Sequence, residues 1–83
     1  MYNLIVSPKA ERQLRPIRKL YQEEVKEAIE ELKHDPFSGK LLGEELAGKY
    51  SYRIDVYRII YLINKEDKTI YIISAGHRSS VYN

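Results

Sequence analysis

Arg53, Arg58 and Arg78 are the residues of this sequence best suited to grip an anion, and His77 and Tyr82 stand close to the last of them. Guanidinium is planar, permanently charged and matched to bidentate contact with phosphate. An imidazole with an ordinary pKa of ~6.5 moves protons near neutrality. A tyrosine stacks on an unpaired base or donates a proton. Together these types suit one reaction, the attack of a ribose 2′-hydroxyl on the adjacent phosphorus, in which charge builds on the phosphoryl oxygens and is stabilised by preorganised donors. The reaction needs no metal where side chains move the protons. The need for a 2′-hydroxyl would select RNA over DNA.

The segments that must bring these residues together read as strands. Tyr50 to Ile54, Tyr57 to Ile63 and Thr69 to Ala75 are rich in Tyr and Ile. With Asp55-Val56 as a two-residue turn, Ile54 lies opposite Tyr57, Arg53 opposite Arg58, Tyr52 opposite Ile59 and Tyr50 opposite Tyr61. Asp tolerates positive φ and Val does so poorly, so this turn is not ideal. Directly opposed like charges destabilise a hairpin, which suits a pair that holds something negative. Asn64 to Lys68 reads as a five-residue loop. Pairing Ile63 with Thr69 then sets Arg58 against Ser74 and puts Ile70, Ile72, Ser74 and Arg78 on its face. The three guanidiniums converge near one end of the sheet, and a slip of one residue would send Arg78 to the other side.

Upstream the period is helical. Tyr2 to Val6 is a short β-rich run, and Ser7-Pro8 supplies an N-cap followed by proline at the first helical position. Ala10, Leu14, Ile17 and Tyr21 share a helix face. Pro16 is expected to end or kink that helix near Arg15. A second helix carries Tyr21, Val25, Ala28, Ile29 and Leu32 on one stripe and stops at Asp35-Pro36. Residues 36–48 read as a loop with a short turn of helix. One strand, two helices and three strands give an α+β fold, two helices packed on a mostly antiparallel four-stranded sheet. The last two strands are apolar on both faces, Ile60, Leu62, Ile70 and Ile72 against Tyr57, Ile59, Tyr61, Tyr71 and Ile73. Two helices cover one such face, and the tail or a partner must help with the other.

Eighty-three residues make one domain over 1–83, and 43% hydrophobic content allows a core. The absence of cysteine excludes disulfides and cysteine–metal sites. It fits a reducing cytosol, and a cytoplasmic location is expected. No signal peptide is visible, and no run approaches the ~18 apolar residues of a membrane span. Residues 1–20 hold five bases and one acid, 21–35 six acids and two bases, and 46–83 six bases and three acids. Such segregation favours an anionic partner on particular surfaces. Lys9, Arg12, Arg15, Lys19 and Lys49 are the candidates for contact with RNA.

The segment Ser7-Pro8-Lys9-Ala10-Glu11-Arg12, the loop from Asp35-Pro36 to Gly48, Tyr57-Arg58 within YRIIY and the ending GHRSSVY resemble the RelE/ParE toxin superfamily, in order and over nearly the whole chain. The resemblance is strongest to RelE-type members. It implies a bacterial or archaeal toxin of a type II toxin–antitoxin system that cuts mRNA in the ribosomal A site and is neutralised by an antitoxin. It implies no cofactor, and partners that are an antitoxin protein, a 70S-type ribosome and mRNA. By position, Arg58 and Arg78 match the family's phosphate-stabilising arginines, Tyr82 its C-terminal tyrosine, Arg53 a basic position and His77 a site where some members place another base. Where the best-known members carry two lysines on the strand of Arg53, the neighbouring alternate position here is Asp55. Arginine stays protonated, so proton transfer falls to His77, with Asp55 an alternative base that reads first as a turn residue. An amphipathic, acidic antitoxin segment is expected to cover the arginines. ParE-like relatives share the fold and poison DNA gyrase, and a non-catalytic interaction module is a third alternative.

Overall fold

The structure is a computed structural model that describes residues 1–43 and 48–79. A first strand, β1 (Asn3–Val6), leads into helix α1 (Pro8–Leu20). Ser7 caps α1 as its sequence requires, its hydroxyl accepting from the Ala10 amide at 3.1 Å. The helix runs through Pro16 to Leu20 instead of ending near Arg15. Pro16 is exposed and lacks the N–H that would bond the Arg12 carbonyl. Helix α2 (Gln22–His34) follows directly, and a 3₁₀ turn (Pro36–Ser38) begins where Asp35 Oδ1 accepts from the Phe37 amide.

Then come β2 (Lys40–Leu41), β3 (Lys49–Ile54), β4 (Tyr57–Asn64) and β5 (Thr69–His77). The sheet has five strands in the order β1-β5-β4-β3-β2, one more than the sequence suggests. The extra member, β2, is two residues long and pairs Lys40 with Ser51 and Leu41 with Tyr50. Only β1 and β5 run parallel.

The β3–β4 hairpin has the expected register, Ile54 with Tyr57, Arg53 with Arg58, Tyr52 with Ile59 and Tyr50 with Tyr61. Asp55 takes the positive φ, 53°, and Val56 does not, so the turn strains the residue that tolerates it. The next hairpin departs from expectation. Asn64 belongs to the ladder, opposite Thr69, and its side chain closes the loop by bonding the Asp67 amide and carboxylate at 3.1 Å each. The loop is therefore residues 65–68, and Ile63 pairs with Ile70. A bulge follows: Tyr61 pairs with Ile72 while Ile60 pairs with Ser74, so Ile73 is extra.

These two departures decide the core. Ile70 and Ile72 lie on the helix side with Ile59 and Tyr61, all four at 1% exposure or less. Tyr71 swings to the opposite face beside Leu62. Both helices cover the Ile59–Tyr61–Ile72 side, contributing Ala10, Leu14, Ile17, Val25, Ala28 and Leu32. Each large aliphatic group buried there contributes about 1.5–3 kcal/mol. On the other face Ile60 is buried, whereas Ile5 is 51% exposed.

Two phenols tie the sheet to the helical layer. Tyr52 donates to Glu31 of α2, and Tyr61 donates to the Pro36 carbonyl at 2.7 Å. Burial, helped by the Glu31 carboxylate, pushes Tyr52 up to about 12, and burial pushes Tyr61 up to about 12, from the usual 10.0. A phenol held above its unfolded value stabilises the fold fully below pH ~10 and loses that contribution as the pH rises toward ~12. The urea midpoint is expected to fall across that window, and to fall less in Tyr52→Phe. Equal losses in the variant and the parent would disprove the assignment.

Candidate functional site

The open face of the sheet gathers cations. Opposed residues share a face, and alternate residues on one strand share it too. Lys49, Ser51 and Arg53 of β3, Lys40 of β2 and Arg58 of β4 therefore lie on the side away from the helices. Ser38, Gly39, Lys40, Ser51, Tyr52, Arg53 and Arg58 line a cavity of about 470 Å³. Its wall exists because residue 39 is glycine. A Cβ there would meet the Tyr61 hydroxyl at 2.3 Å and the Ser51 carbonyl at 2.7 Å. The Gly39 amide donates to that same hydroxyl at 3.2 Å.

Arg58 is the unusual member. It is half-buried, and its Nη1 has no hydrogen-bond partner among the described residues. A buried guanidinium nitrogen without a partner is costly, and an anion in the cavity would supply one. Arg53 is exposed and is steered by its own turn, its Nε donating to the Asp55 carbonyl at 2.9 Å. Among the described residues, Lys40, Lys49, Arg53, Arg58 and Arg78 form no ion pair; the two ion pairs present join Arg18 to Glu11 and Lys33 to Glu30.

Arg78 follows β5, and its amide donates to the Val56 carbonyl at 2.8 Å, which continues the ladder beyond the Tyr57–His77 pair. Gly76 is the partner of Arg58, so Arg78, two positions on, falls on the face of Arg58. The expected partner was Ser74. The shorter loop and the bulge each shift the pairing by one residue, and the two shifts preserve parity.

His77 alternates with Arg78 and lies on the helix side, edge-on to Tyr57 at 5.9 Å between ring centroids. Its Nδ1 accepts from the Ser79 amide at 3.1 Å. The structure does not bring His77 onto the arginines' face. Asp55 is engaged as a turn residue, accepting from the Tyr21 hydroxyl at 2.5 Å, a bond that raises the Tyr21 pKa. Tyr82 lies outside the described residues.

The remaining candidates divide between two surfaces. Lys9, Arg12, Arg15 and Lys19 are all exposed on α1, opposite Ala10, Leu14 and Ile17. That stripe is on the helix layer, across the sheet from Arg58. Lys49 instead joins the arginine face. Lys40 is the residue the sequence reading missed. Its only signal was a lysine beside a glycine in a loop, and nothing local reveals that this pair joins the sheet.

Among the described residues, no helix is long and apolar enough to cross a membrane, and no group of His, Cys, Asp and Glu is arranged to hold a metal.

Comparison with known proteins places these features. A family model described as the ParE toxin of type II toxin–antitoxin system, parDE, matches residues 4–82. The toxin RelG of Mycobacterium tuberculosis is 39% identical over 56 residues, which cover 66% of this chain and 64% of RelG, so the match spans less than two thirds of that relative. A chain of the toxin–antitoxin complex RelBE2 from Mycobacterium tuberculosis superposes with a TM-score of 0.80 at 33% identity, covering 93% of this chain and 98% of that one. The isolated RelE toxin of E. coli shares the fold, with a TM-score of 0.76 at 23% identity over 93% of this chain and 84% of that one. With its sequence matched from residue 4 to residue 82 and its helices and mixed sheet superposing on RelE-like structures, the chain belongs to the ParE toxin family of type II toxin–antitoxin systems, within the RelE/ParE superfamily.

Proposed function

We propose that this protein is a ribosome-dependent endoribonuclease that cuts mRNA and is held in check by a cognate antitoxin. The observation that carries the reading is the partnerless Nη1 of Arg58 in a cavity that Lys40 and Arg53 also line. In the proposed reaction the 2′-hydroxyl oxygen bonds to phosphorus and the bond to the 5′-oxygen breaks, leaving a 2′,3′-cyclic phosphate and a new 5′-hydroxyl. One proton leaves the attacking hydroxyl and one reaches the departing oxygen. Arg58, Arg53 and Arg78 hold the phosphoryl oxygens as charge accumulates on them. The guanidiniums do not exchange protons. Tyr82 and His77, which adjoins Arg78 in the chain but lies on the helix side of the sheet, are proposed for that work, and Lys40 adds an ammonium inside the cavity.

The exposed α1 stripe of Lys9, Arg12, Arg15 and Lys19 is proposed to contact ribosomal RNA, away from the scissile phosphate. Lys49 is proposed to extend the cationic track beyond the cavity. The similar chain of RelBE2 comes from a toxin–antitoxin complex, and that of Pyrococcus horikoshii OT3 from an archaeal RelE–RelB complex. An antitoxin segment with acidic and apolar groups would suit the arginines together with Leu62, Tyr71 and Ile5 on the same open face.

A second reading is favoured by the matching family's own description, which names a ParE toxin. Such a protein would poison DNA gyrase. Induced expression separates the two. Rapid arrest of translation with cleaved mRNA supports the nuclease. Gyrase–DNA lesions with intact mRNA support the second reading. Unimpaired growth with both intact leaves a non-catalytic interaction module.

A further inference from the structure

The register of β5 beyond its bulge is weakly specified by side-chain size. Ser74, Ala75 and Gly76 are all small, so a one-residue slide would exchange Ala75 for Ser74 opposite Ile59 at little steric cost. The same slide would move Arg78 to the helix side and bring His77 to the open face. Something other than bulk must choose between the two arrangements.

The choice is made from α1. Strand β1 ends at Val6 because Ser7-Pro8 turns the chain into the helix, so the edge of β5 beyond Ile72 has no strand beside it. Ser7 and Gln13 fill that place. The Ser7 amide donates to the Ile72 carbonyl at 2.9 Å, and the Ser7 hydroxyl donates to the Ile73 carbonyl at 3.3 Å. Two consecutive carbonyls of one strand therefore face the same side, which a regular strand does not allow and a bulge does. Two residues on, the Ala75 amide donates to Gln13 Oε1 at 2.9 Å. In a regular strand continuing the parity of Ile72, the amide on that side would belong to Ser74. Gln13 thus bonds the amide that is present only in the bulged register. Ala75 is 2% exposed, so without Gln13 water would not readily replace the lost bond.

We propose that Ser7 and Gln13 are positioning residues. They lock the β5 bulge and so present Arg78, and not His77, on the face of Arg58. The inference rests on the proposed role of Arg78 for its functional consequence, but the register itself is measured independently.

The test compares Gln13→Met, which keeps the volume and removes the acceptor, with Gln13→Glu, which keeps an acceptor. Cross-strand proton contacts in NMR report the pairing directly. The parent is expected to show Arg58 against Gly76 alone. Gln13→Met is expected to add or substitute Arg58 against Ala75, with cleavage reduced about as far as in Arg78→Ala, ~10²-fold. Gln13→Glu is expected to keep the parent's contacts and activity. The Gln13→Met change is also expected to cost no further activity in an Arg78→Ala background. Should Gln13→Met not fold, Gln13→Asn, which withdraws the carbonyl by one methylene, is held to the same criteria. An unshifted Arg58–Gly76 pairing in the variant that lacks the acceptor would overturn the inference, whatever happens to cleavage. A shifted register in a protein whose Arg78→Ala variant cuts normally would leave the inference standing and remove the role of Arg78.

Discussion

Arg58→Ala is expected to lower mRNA cleavage by about 10²-fold or more while the protein stays folded. Most truncations of half-buried residues cost stability, and this one differs for two reasons. Nη1 of Arg58 has no partner to lose among the described residues. Its cross-strand neighbour is Arg53, a like charge directly opposite, so removal relieves a repulsion. The melting temperature is therefore expected to stay level or rise as activity falls, the signature of a residue kept for function at a cost in stability. Arg58→Lys restores the charge but not the two-pronged donor, and is expected to recover only part of the activity. Arg78→Ala is expected to match Arg58→Ala in cleavage, with a smaller effect on stability because Arg78 is exposed. Unchanged toxicity in both alanine variants would remove the site assignment.

Gly39→Ala is expected to cost about 2–4 kcal/mol, measured as a shift in the urea midpoint, and to impair cleavage as well. The added methyl would lie 2.3 Å from the Tyr61 hydroxyl, and that hydroxyl belongs to a ring with 0% exposure that cannot swing aside. Relief requires moving Tyr61 off the Pro36 carbonyl or pushing β2 off β3, where the Ser51 carbonyl also blocks the methyl at 2.7 Å. Either movement displaces Lys40 and the cavity wall. The backbone at Gly39 is not the cause, since its φ of −79° is open to alanine. Tyr61→Phe removes the hydroxyl and is expected to rescue part of the stability of Gly39→Ala, a non-additivity that backbone strain would not produce. Full stability in the single glycine variant would contradict the packing described.

Much of this was readable from residue types. The Arg53–Arg58 pairing followed from turn length alone, because a two-residue connection leaves one register. Ser7-Pro8 marked the start of α1 through a mechanism that is entirely local. Pro16 did not end α1, because whether a helix continues past the lost N–H depends on what surrounds it, and that is a tertiary fact. The strand β2 was invisible for the same reason. Two residues in a glycine-containing loop become a strand only because the Tyr61 hydroxyl and β3 hold them there, and Lys40 was missed with them.

The last hairpin is the more instructive case. Nothing in the sequence announced that Asn64 would close its own loop from within the ladder, or that Ile73 would be extra. Those two misses cancelled for Arg78 and did not cancel for Ile70, Ile72 and Tyr71, whose faces were exchanged. The separation of His77 from Arg78 was available throughout, since neighbours in a strand point to opposite sides.

The cationic cavity on the uncovered side of the sheet is proposed to receive the bond to be cut. The most direct measurement is a structure of the protein on a ribosome programmed with mRNA carrying a 2′-deoxy residue at the cleavage position. The phosphate there is expected within hydrogen-bonding distance of the Arg58 guanidinium, with Arg53 and Arg78 on the same side. A phosphate seated against the α1 stripe, with Arg58 still empty-handed, would contradict the account.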